Sequence, residues 1–250
     1  MVGLRGLRGL RLAGAALVDL VLPGECAGCA SDEGETGPLL CQACRLELAG
    51  PARPAWPTPV PARLPPPWAS ADYDGAARGA ILAHKEDGRF GLVAPLGDAL
   101  ARSVLAGLAA TAVADRTADV ALVPVPSRRT AVRGRGQDAT LRLTRRAAAA
   151  VRRAGSDVEV LPVVRIVRGL ADQAGLDARE RGANLQGALA VPDRLVRHVR
   201  GRVVVVVDDV ITTGATIDET ARALRAAGAV VVCAAVVAAT RRRQPPGLCL

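Results

Sequence analysis

The chain has 250 residues, which is enough to bury a sizeable core in one or two domains. Half of the residues are apolar and only 2% are aromatic, so the core must be built from Ala, Val and Leu, and a base-stacking platform for single-stranded nucleic acid is disfavoured. The net charge is +9 and comes almost entirely from arginine, because Lys85 is the only lysine. This charge indicates either anionic partners, such as phosphates and nucleic acid, or a solvated arginine-rich surface.

The first 22 residues predict an amphipathic helix, because leucines and a valine recur near helical spacing. These residues are Leu4, Leu7, Leu10, Leu17 and Val21. Arginines before an apolar run are also typical of a secretion signal, but Asp19 interrupts the run and no good cleavage site follows Pro23. No apolar run reaches membrane-spanning length by inspection of the sequence. We therefore expect a cytoplasmic protein without a membrane span.

Two C-x-x-C pairs follow, formed by Cys26, Cys29, Cys41 and Cys44. Each pair can place two thiolates on one tetrahedral ion, and the loop between the pairs can bring them together. A segment this small has no core of its own and would need the metal to fold. The spacing predicts a structural Zn²⁺ site. Two disulfides in a secreted chain, an iron–sulfur cluster or a redox pair are the alternatives. Cys233 lies in an apolar run and is expected to be a small core residue.

Composition divides the chain into three parts. Residues 1–50 hold the predicted N-terminal helix and the four-cysteine module, and residues 51–67 form a proline-rich stretch that predicts a semi-rigid linker. Residues 68–250 alternate between helical and strand patterns. Helices are predicted over 75–86, 92–113, 137–154 and 217–227, and strands over Val120–Val125, Val158–Val164, Val203–Val207 and Val230–Val237. This alternation predicts an α/β domain with a parallel sheet flanked by helices.

The most informative segment begins at Val203 with five consecutive valines, which predict a strand buried on both faces. Asp208 and Asp209 come directly after it, and a turn containing Thr212, Thr213, Gly214, Ala215 and Thr216 leads to the next helix. Ligands of open α/β sheets bind where strands end and helices begin. The free N–H groups of a helix start attract phosphate, and Gly214 allows close approach of a ligand. Carboxylates beside a phosphate cradle favour a phosphorylated sugar.

Two other interpretations compete for this segment. An apolar strand followed by two acids is also typical of the metal-binding strand of a nucleotide hydrolase. That class needs a G-x-x-x-x-G-K-[ST] loop, and Lys85 does not lie in one, so we exclude it. The segment could instead be a plain capped helix with Thr212 or Thr213 as the N-cap, although a cap does not call for two adjacent carboxylates.

The segment from Arg202 to Thr216 resembles the phosphoribosyl-pyrophosphate signature of type I phosphoribosyltransferases. The resemblance implies that Asp208 and Asp209 hold the ribose hydroxyls. It also implies that Thr212, Thr213, Gly214, Ala215 and Thr216 hold the 5′-phosphate. Phosphoribosyl pyrophosphate would bind with Mg²⁺ bridging its pyrophosphate and ribose hydroxyls. The catalytic residues expected on this basis are the two aspartates.

A resemblance to the ComF family of competence-associated proteins covers nearly the whole chain. It is carried by the cysteine cluster, by Tyr73-Asp74-Gly75 and the helix that follows, by Val123-Pro-Val-Pro126 with Arg133-Gly-x-x-Gln137 after it, and by the segment from Arg168 to Gly187. The family usually has Arg-Gly-Phe-Asn-Gln near residue 135, whereas this chain has Arg135 and Gly136 in place of Phe and Asn. The resemblance implies a DNA-uptake context, with single-stranded DNA or a DNA-uptake helicase as partners.

Further binding residues follow from this comparison. Type I enzymes bind pyrophosphate in the loop that corresponds to Ser127, Arg128 and Arg129, and forked guanidinium groups suit that ligand. Residues 165–187 occupy the place of the mobile catalytic loop, where Arg165, Arg168, Gln173, Arg179, Arg181 and Asn184 could close over the diphosphate. Lys85 could also reach phosphate. Each of these segments has an alternative interpretation. The turn at Ser127 could be a basic surface turn, residues 165–187 could be a solvated helix, and Lys85 could be an ordinary helix end.

The expected function is transfer of a phosphoribosyl group to a nitrogen acceptor that the sequence does not identify. The alternative is a protein that senses phosphoribosyl pyrophosphate or a nucleotide, or that handles single-stranded DNA, without catalysing transfer. His84 and His198 show no partner for acid–base or metal chemistry in the sequence and are given no role.

Overall fold

The computed structural model describes residues 25–31, 39–111, 120–127, 136–168 and 185–240. The predicted N-terminal helix over residues 1–22 lies outside these ranges. Within them the strands are β1 (Arg53–Pro54), β2 (Pro67–Asp72), β3 (Val120–Pro124), β4 (Val158–Val160), β5 (Arg165–Ile166), β6 (Leu189–Ala190), β7 (Val203–Val207), β8 (Val210–Ile211) and β9 (Val230–Ala239). The helices are α1 (Gln42–Leu48), α2 (Gly75–Lys85), α3 (Val93–Ala109), α4 (Ala139–Arg153), α5 (Asp193–Val196) and α6 (Ala215–Ala226), and a 3-10 turn (Phe90–Leu92) precedes α3.

Most of these strands form one sheet in the order β1-β2-β9-β7-β3-β4, with β8 paired to β9. All neighbours in this sheet are parallel except β1, which runs antiparallel to β2 at the edge. β5 and β6 form a separate antiparallel pair. The carboxyl ends of β2, β9, β7 and β3 therefore meet at one edge of the sheet. The predicted α/β class with a parallel sheet is confirmed.

Helices cover both faces of the sheet, as the all-apolar strand patterns require. One core lies under α2, α3 and α4 and contains Ile81, Leu100 and Leu143 together with Val205 and Val237. The other lies under α6 and contains Ile217 and Leu224 together with Val204, Val206 and Val236. Cys233 is fully buried in the first core, as expected. Valine on the strands and alanine on the helices replace the missing aromatic side chains.

The predicted elements agree with the structure to within a few residues, and three of their bounds differ. The strand expected over Val158–Val164 ends at Val160, because Pro162 has no N–H group to continue the ladder. The strand expected over Val230–Val237 continues to Ala239, where it pairs with β8 and β2. The start of α6 is at Ala215 rather than at 217.

The proline-rich stretch, expected as a linker, packs on the domain in the structure. Arg53 and Pro54 pair with β2. The backbone N–H of Arg63 donates to Oδ1 of Asp218 at 2.8 Å, and Arg225 donates to the carbonyl oxygen of Arg63 at 2.6 Å. The stretch is therefore held against α6. The division into 1–50, 51–67 and 68–250 remains a prediction.

The stretch Phe90–Ala109, which includes α3, is long and apolar enough to cross a membrane by length and composition alone. This differs from the expectation that no apolar run of the sequence reaches membrane-spanning length. More than half of this window, 56%, is buried inside the fold, where α3 packs on α4, β2 and β9. This burial is what the core helix of a globular domain shows.

Candidate phosphate and ribose site at the end of β7

Asp208 and Asp209 lie where β7 ends at the carboxyl edge of the sheet. Their backbone is fixed by the neighbouring strand, because the N–H of Asp208 donates to Ala235 and the carbonyl of Asp209 accepts from Val237 and Ala238. The N–H of Asp209 donates to Oδ1 of Asp208 at 2.9 Å. Asp209 is buried and Asp208 is half-buried. The sheet thus holds two adjacent carboxylates in a fixed arrangement.

Lys85, at the last position of α2, makes an ion pair with Oδ2 of Asp209. The Asp209 side chain is only 5% exposed and that of Lys85 is 26% exposed, so the pair is largely shielded from water. Burial alone would lower the pKa of Lys85, but the charges of Asp209 and Asp208 raise it above its ordinary value. From the sequence, Lys85 could be either a phosphate ligand or an ordinary helix end. The structure places it at the two aspartates.

The two aspartates differ in their electrostatic environment. Burial, together with the adjacent charge of Asp209, raises the pKa of the Asp208 carboxyl to about 8, although Lys85 opposes this shift. The single positive charge of Lys85 does not neutralise two ionised carboxylates that are shielded from water. Asp208 is therefore the member of the pair that gains most from a ligand that donates hydrogen bonds or brings positive charge.

The turn after β8 delivers the amide groups of α6. Gly214 is the N-cap of that helix and adopts a left-handed conformation with φ of +75°. A Cβ atom at Gly214 would lie 3.2 Å from side-chain atoms of Leu64 and Pro57. The backbone conformation therefore favours glycine, and a Cβ atom would also crowd the proline-rich stretch that packs against the turn. The alternative with Thr212 or Thr213 as the N-cap is wrong, because the turn needs a positive φ at the cap position.

The residues of the turn are accessible to different degrees. Thr212 is exposed, and Thr213, Ala215 and Thr216 are half-buried. The carbonyl of Thr212 accepts from the Thr240 hydroxyl at 3.5 Å, so the turn is tied to the end of β9. The first N–H groups of a helix have no partner within the helix. The N–H of Ala215 donates to Oγ1 of Thr213 at 3.4 Å, so amides and threonine hydroxyls lie together at the start of α6. This combination is a suitable environment for a phosphate group.

Ser127 follows β3, the strand next to β7. Its hydroxyl donates to Oδ1 of Asp138 at 2.9 Å, and the same oxygen accepts from the N–H of Leu141 to cap α4. Ser127 thus joins the β3 turn to the start of α4. Arg128 and Arg129 lie outside the described residues, so their predicted contact with pyrophosphate remains a prediction.

The expected mobile-loop residues are mostly outside the described part of the chain. Gln173, Arg179, Arg181 and Asn184 are in this group. Arg168 is described and donates to the carbonyl of Gln186 at 2.9 Å, next to the β5–β6 pair. Arg165 donates to the carbonyls of Pro162 and Val164. Their predicted contact with the diphosphate remains a prediction.

The four predicted metal ligands are brought together by the fold. The Sγ atoms of Cys26, Cys29, Cys41 and Cys44 all lie within 4.8 Å of one another, and Cys29 and Cys41 are 3.8 Å apart. Four thiolates at about 2.3 Å from a tetrahedral ion have this mutual spacing. The residues present therefore fit a metal ion of the zinc class.

The surroundings of the thiols agree with an anionic cluster that needs a cation. Burial raises the pKa of Cys26, but N–H groups of Cys41, Cys29 and Gly28 outweigh it and lower the pKa to about 6. Burial, with the other cysteines, raises the pKa of Cys44. Four thiols at this spacing cannot all ionise without a positive charge between them.

Sequence reasoning missed several residues that shape the site. Leu64 and Pro57 contact the Gly214 turn, and Asp218 fixes Arg63. A proline-rich composition indicates an extended chain but does not show where that chain lies. His84, which precedes Lys85 in α2, is completely buried, and burial lowers its pKa. No periodic pattern in the sequence distinguishes it from a surface helix end.

The comparisons with known proteins agree with this geometry. The family described as the phosphoribosyl transferase domain matches residues 143–247, a range that includes Asp208, Asp209 and the Gly214 turn. The match begins after Lys85 and Ser127 and does not include the cysteine cluster. None of the curated proteins matches the chain significantly. The match therefore covers the chain from the middle of α4 onward, including the segment that holds the candidate site.

Proposed function

We propose that this protein binds phosphoribosyl pyrophosphate with Mg²⁺ and transfers the phosphoribosyl group to a nitrogen acceptor. The observation that carries the proposal is the arrangement at the end of β7. Asp208 and Asp209 are held beside a turn whose N-cap is Gly214, within a matched phosphoribosyl transferase domain. The carboxylates suit the two ribose hydroxyls, and the turn suits the 5′-phosphate.

Phosphoribosyl transfer requires the protein to position the substrates and stabilise charge, and it does not require a covalent nucleophile. As the bond to pyrophosphate breaks, positive charge develops on the ribose carbon. Asp208 and Asp209 orient the ribose and supply negative potential near that charge. Mg²⁺, when bound through the donor, neutralises charge on the leaving pyrophosphate. Lys85 holds Asp209 in place and adds a cation close to the anionic donor.

The cysteine cluster serves a structural role in this proposal. Cys26, Cys29, Cys41 and Cys44 bind one Zn²⁺ with all four thiolates. No coordination position is left for a substrate, so the ion supports the fold and takes no part in the transfer.

The wider context of the proposal rests on the ComF-type motifs quoted from the sequence. They favour a cytoplasmic protein acting in DNA uptake, with single-stranded DNA or a DNA-uptake helicase as partners. The net charge of +9 is compatible with such partners, whereas the 2% content of aromatic residues gives little support for base stacking.

The test is pyrophosphate release in the presence of Mg²⁺, phosphoribosyl pyrophosphate and a panel of purine, pyrimidine and amide acceptors. Release with one acceptor class, lost in the Asp208→Asn/Asp209→Asn double variant, supports transfer. Asparagine is chosen for both positions because it removes the charges and keeps the side-chain shape. Donor binding without release for any acceptor would instead favour the sensor interpretation, and no donor binding at all would overturn both.

A further inference from the structure

The cysteine cluster is packed on the helix that carries Lys85. A Cβ atom at Gly79, in the middle of α2, would lie 2.5 Å from the carbonyl oxygens of both Ala27 and Gly28. Ala27 and Gly28 are the two residues between Cys26 and Cys29. Gly79 is therefore the point at which the backbone of the first C-x-x-C turn touches α2 directly. Any larger residue there must displace one from the other.

The turn itself depends on the arrangement of the thiols. A Cβ atom at Gly28 would lie 2.7 Å from Sγ of Cys44 and 3.2 Å from Cα of Ala76. The N–H groups of Gly28 and Cys41 donate to Sγ of Cys26 at 3.4 and 3.2 Å. The carbonyl surface that receives Gly79 is thus shaped by the same sulfur atoms that would bind the metal.

Two further contacts hold α2 to the same module. At its start, the N–H of Ala76 donates to Oε1 of Glu47 on α1 at 3.2 Å. Beyond its end, Nη1 of Arg89 donates to the carbonyl oxygen of Glu25 at 3.1 Å. The helix is therefore fixed by the cysteine module at its first turn, at its middle and just past its last residue.

Lys85 is six residues beyond Gly79, about 9 Å along the helix axis. A displacement of α2 at Gly79 moves Lys85 as well, because a helix of this length is rigid. Lys85 has to reach a buried carboxylate at the end of β7, so a shift of about 1 Å is sufficient to disturb the ion pair.

We infer that metal occupancy of the four-cysteine cluster sets the position of Lys85 through the Gly79 contact, and so controls the Asp208–Asp209 site. Gly79 is a positioning residue in this arrangement, and Lys85 is the side chain it positions. The consequence for donor binding rests on the proposed function. The coupling between the cluster and Lys85 does not, and it can be measured separately.

Because Lys85 is the only lysine, its amine can be followed without interference from other side chains. The experiment measures acylation of Lys85 by an N-hydroxysuccinimide ester, quantified by mass spectrometry with the α-amino group as the internal reference. Full-length protein is compared in its zinc-loaded form and after zinc removal by a chelator with the thiols kept reduced. The Asp209→Asn variant gives the rate without the ion pair.

Zinc-loaded protein should react slowly, and zinc removal should raise the rate by about tenfold, toward that of Asp209→Asn. Gly79→Ala should raise the rate even in its zinc-loaded form, which separates the coupling from unfolding of the metal-free chain. The matched control is Gly107→Ala on α3, whose Cβ would lie 2.7 Å from Sγ of Cys233 on the sheet. It should lower thermal stability without raising the Lys85 rate.

Equal Lys85 rates in the zinc-loaded wild type and in zinc-loaded Gly79→Ala would overturn the coupling, as would an equal increase in Gly107→Ala. Donor affinity is measured on the same samples by calorimetry with Mg²⁺ and phosphoribosyl pyrophosphate. A change in the Lys85 rate with no donor binding in any sample keeps the coupling and removes the proposed function. If the donor binds equally with and without zinc and the Lys85 rates are unchanged, donor binding is supported and the coupling is overturned.

Discussion

Lys85 and Asp209 form a shielded ion pair that joins the end of α2 to the end of β7. The pair connects the part of the chain outside the matched transferase domain to the acidic motif inside it. Lys85 is therefore part of the candidate site and is more than an ordinary helix end.

Replacing Lys85 by methionine should destabilise the protein and weaken donor binding. The change leaves Asp209 buried without its charged partner, at a cost of about 1–3 kcal/mol, below that of a fully buried pair because part of Lys85 is exposed. Donor affinity should fall by about tenfold or more. Chemical denaturation and calorimetry measure the two effects. Lys85→Arg is the control that keeps the charge, and an unchanged donor affinity in Lys85→Met would contradict the prediction.

Stability without ligand should decrease as pH rises from about 4 to about 8. The pKa of Asp208 is raised to about 8 in the folded protein, against about 3.9 for a free carboxyl. The folded state therefore holds more protons in this window, and the contribution is complete below the unfolded value and lost as pH rises through the folded one. The melting temperature across this range measures the effect.

Asp208→Asn is the control for that dependence, since it removes the titrating group and should flatten the curve between pH 4 and 8. Binding of Mg²⁺ and donor should show the opposite trend and become tighter toward pH 8, because the ionised carboxylate is the stronger acceptor for ribose hydroxyls. A wild-type curve that is as flat as that of Asp208→Asn would show that Asp208 titrates in its ordinary range.

Gly214→Ala should impair donor binding and stability together. The added Cβ meets an unfavourable φ of +75°, costing about 1–2 kcal/mol, and also presses on Leu64 and Pro57. Gly201→Ala is a close control, since Gly201 has φ of +74° and a Cβ there has nothing within 4 Å. Both variants should lose the stability that an alanine at positive φ costs, whereas only Gly214→Ala should lose donor affinity. Equal donor affinity in the two variants would be the contrary result.

Metal analysis of freshly purified, reduced protein should give one zinc per chain. Replacement of the buried Cys44 by serine should remove the ion and lower the melting temperature by several degrees, because α1 and the first cysteine turn have little apolar core of their own. Cys233→Ser, at a buried cysteine outside the cluster, should keep the zinc. Zinc-free wild-type protein with an unchanged melting temperature would refute the metal site.

The sequence predicted the parts of the fold that have a strong local pattern and missed those that depend on distant packing. Five valines placed β7 at its observed bounds, and the C-x-x-C spacing identified the four thiols that converge. The short strand β2 was missed, since its alanine, serine and proline residues are not typical of strands and its pairing is with β9. The candidate site divides in the same way. Asp208, Asp209 and Gly214 lie within seven residues of one another in the sequence, whereas Lys85 reaches Asp209 only because α2 packs against the sheet.

The most direct test of the central claim is calorimetric titration of zinc-loaded protein with Mg²⁺ and phosphoribosyl pyrophosphate, run in parallel on the Asp208→Asn/Asp209→Asn variant. We expect saturable one-to-one binding by the wild type and at least about a hundredfold weaker binding by the variant, since two charged hydrogen-bond acceptors are lost. Equal affinity in the two proteins, with both folded, would contradict the assignment of the ribose site to Asp208 and Asp209.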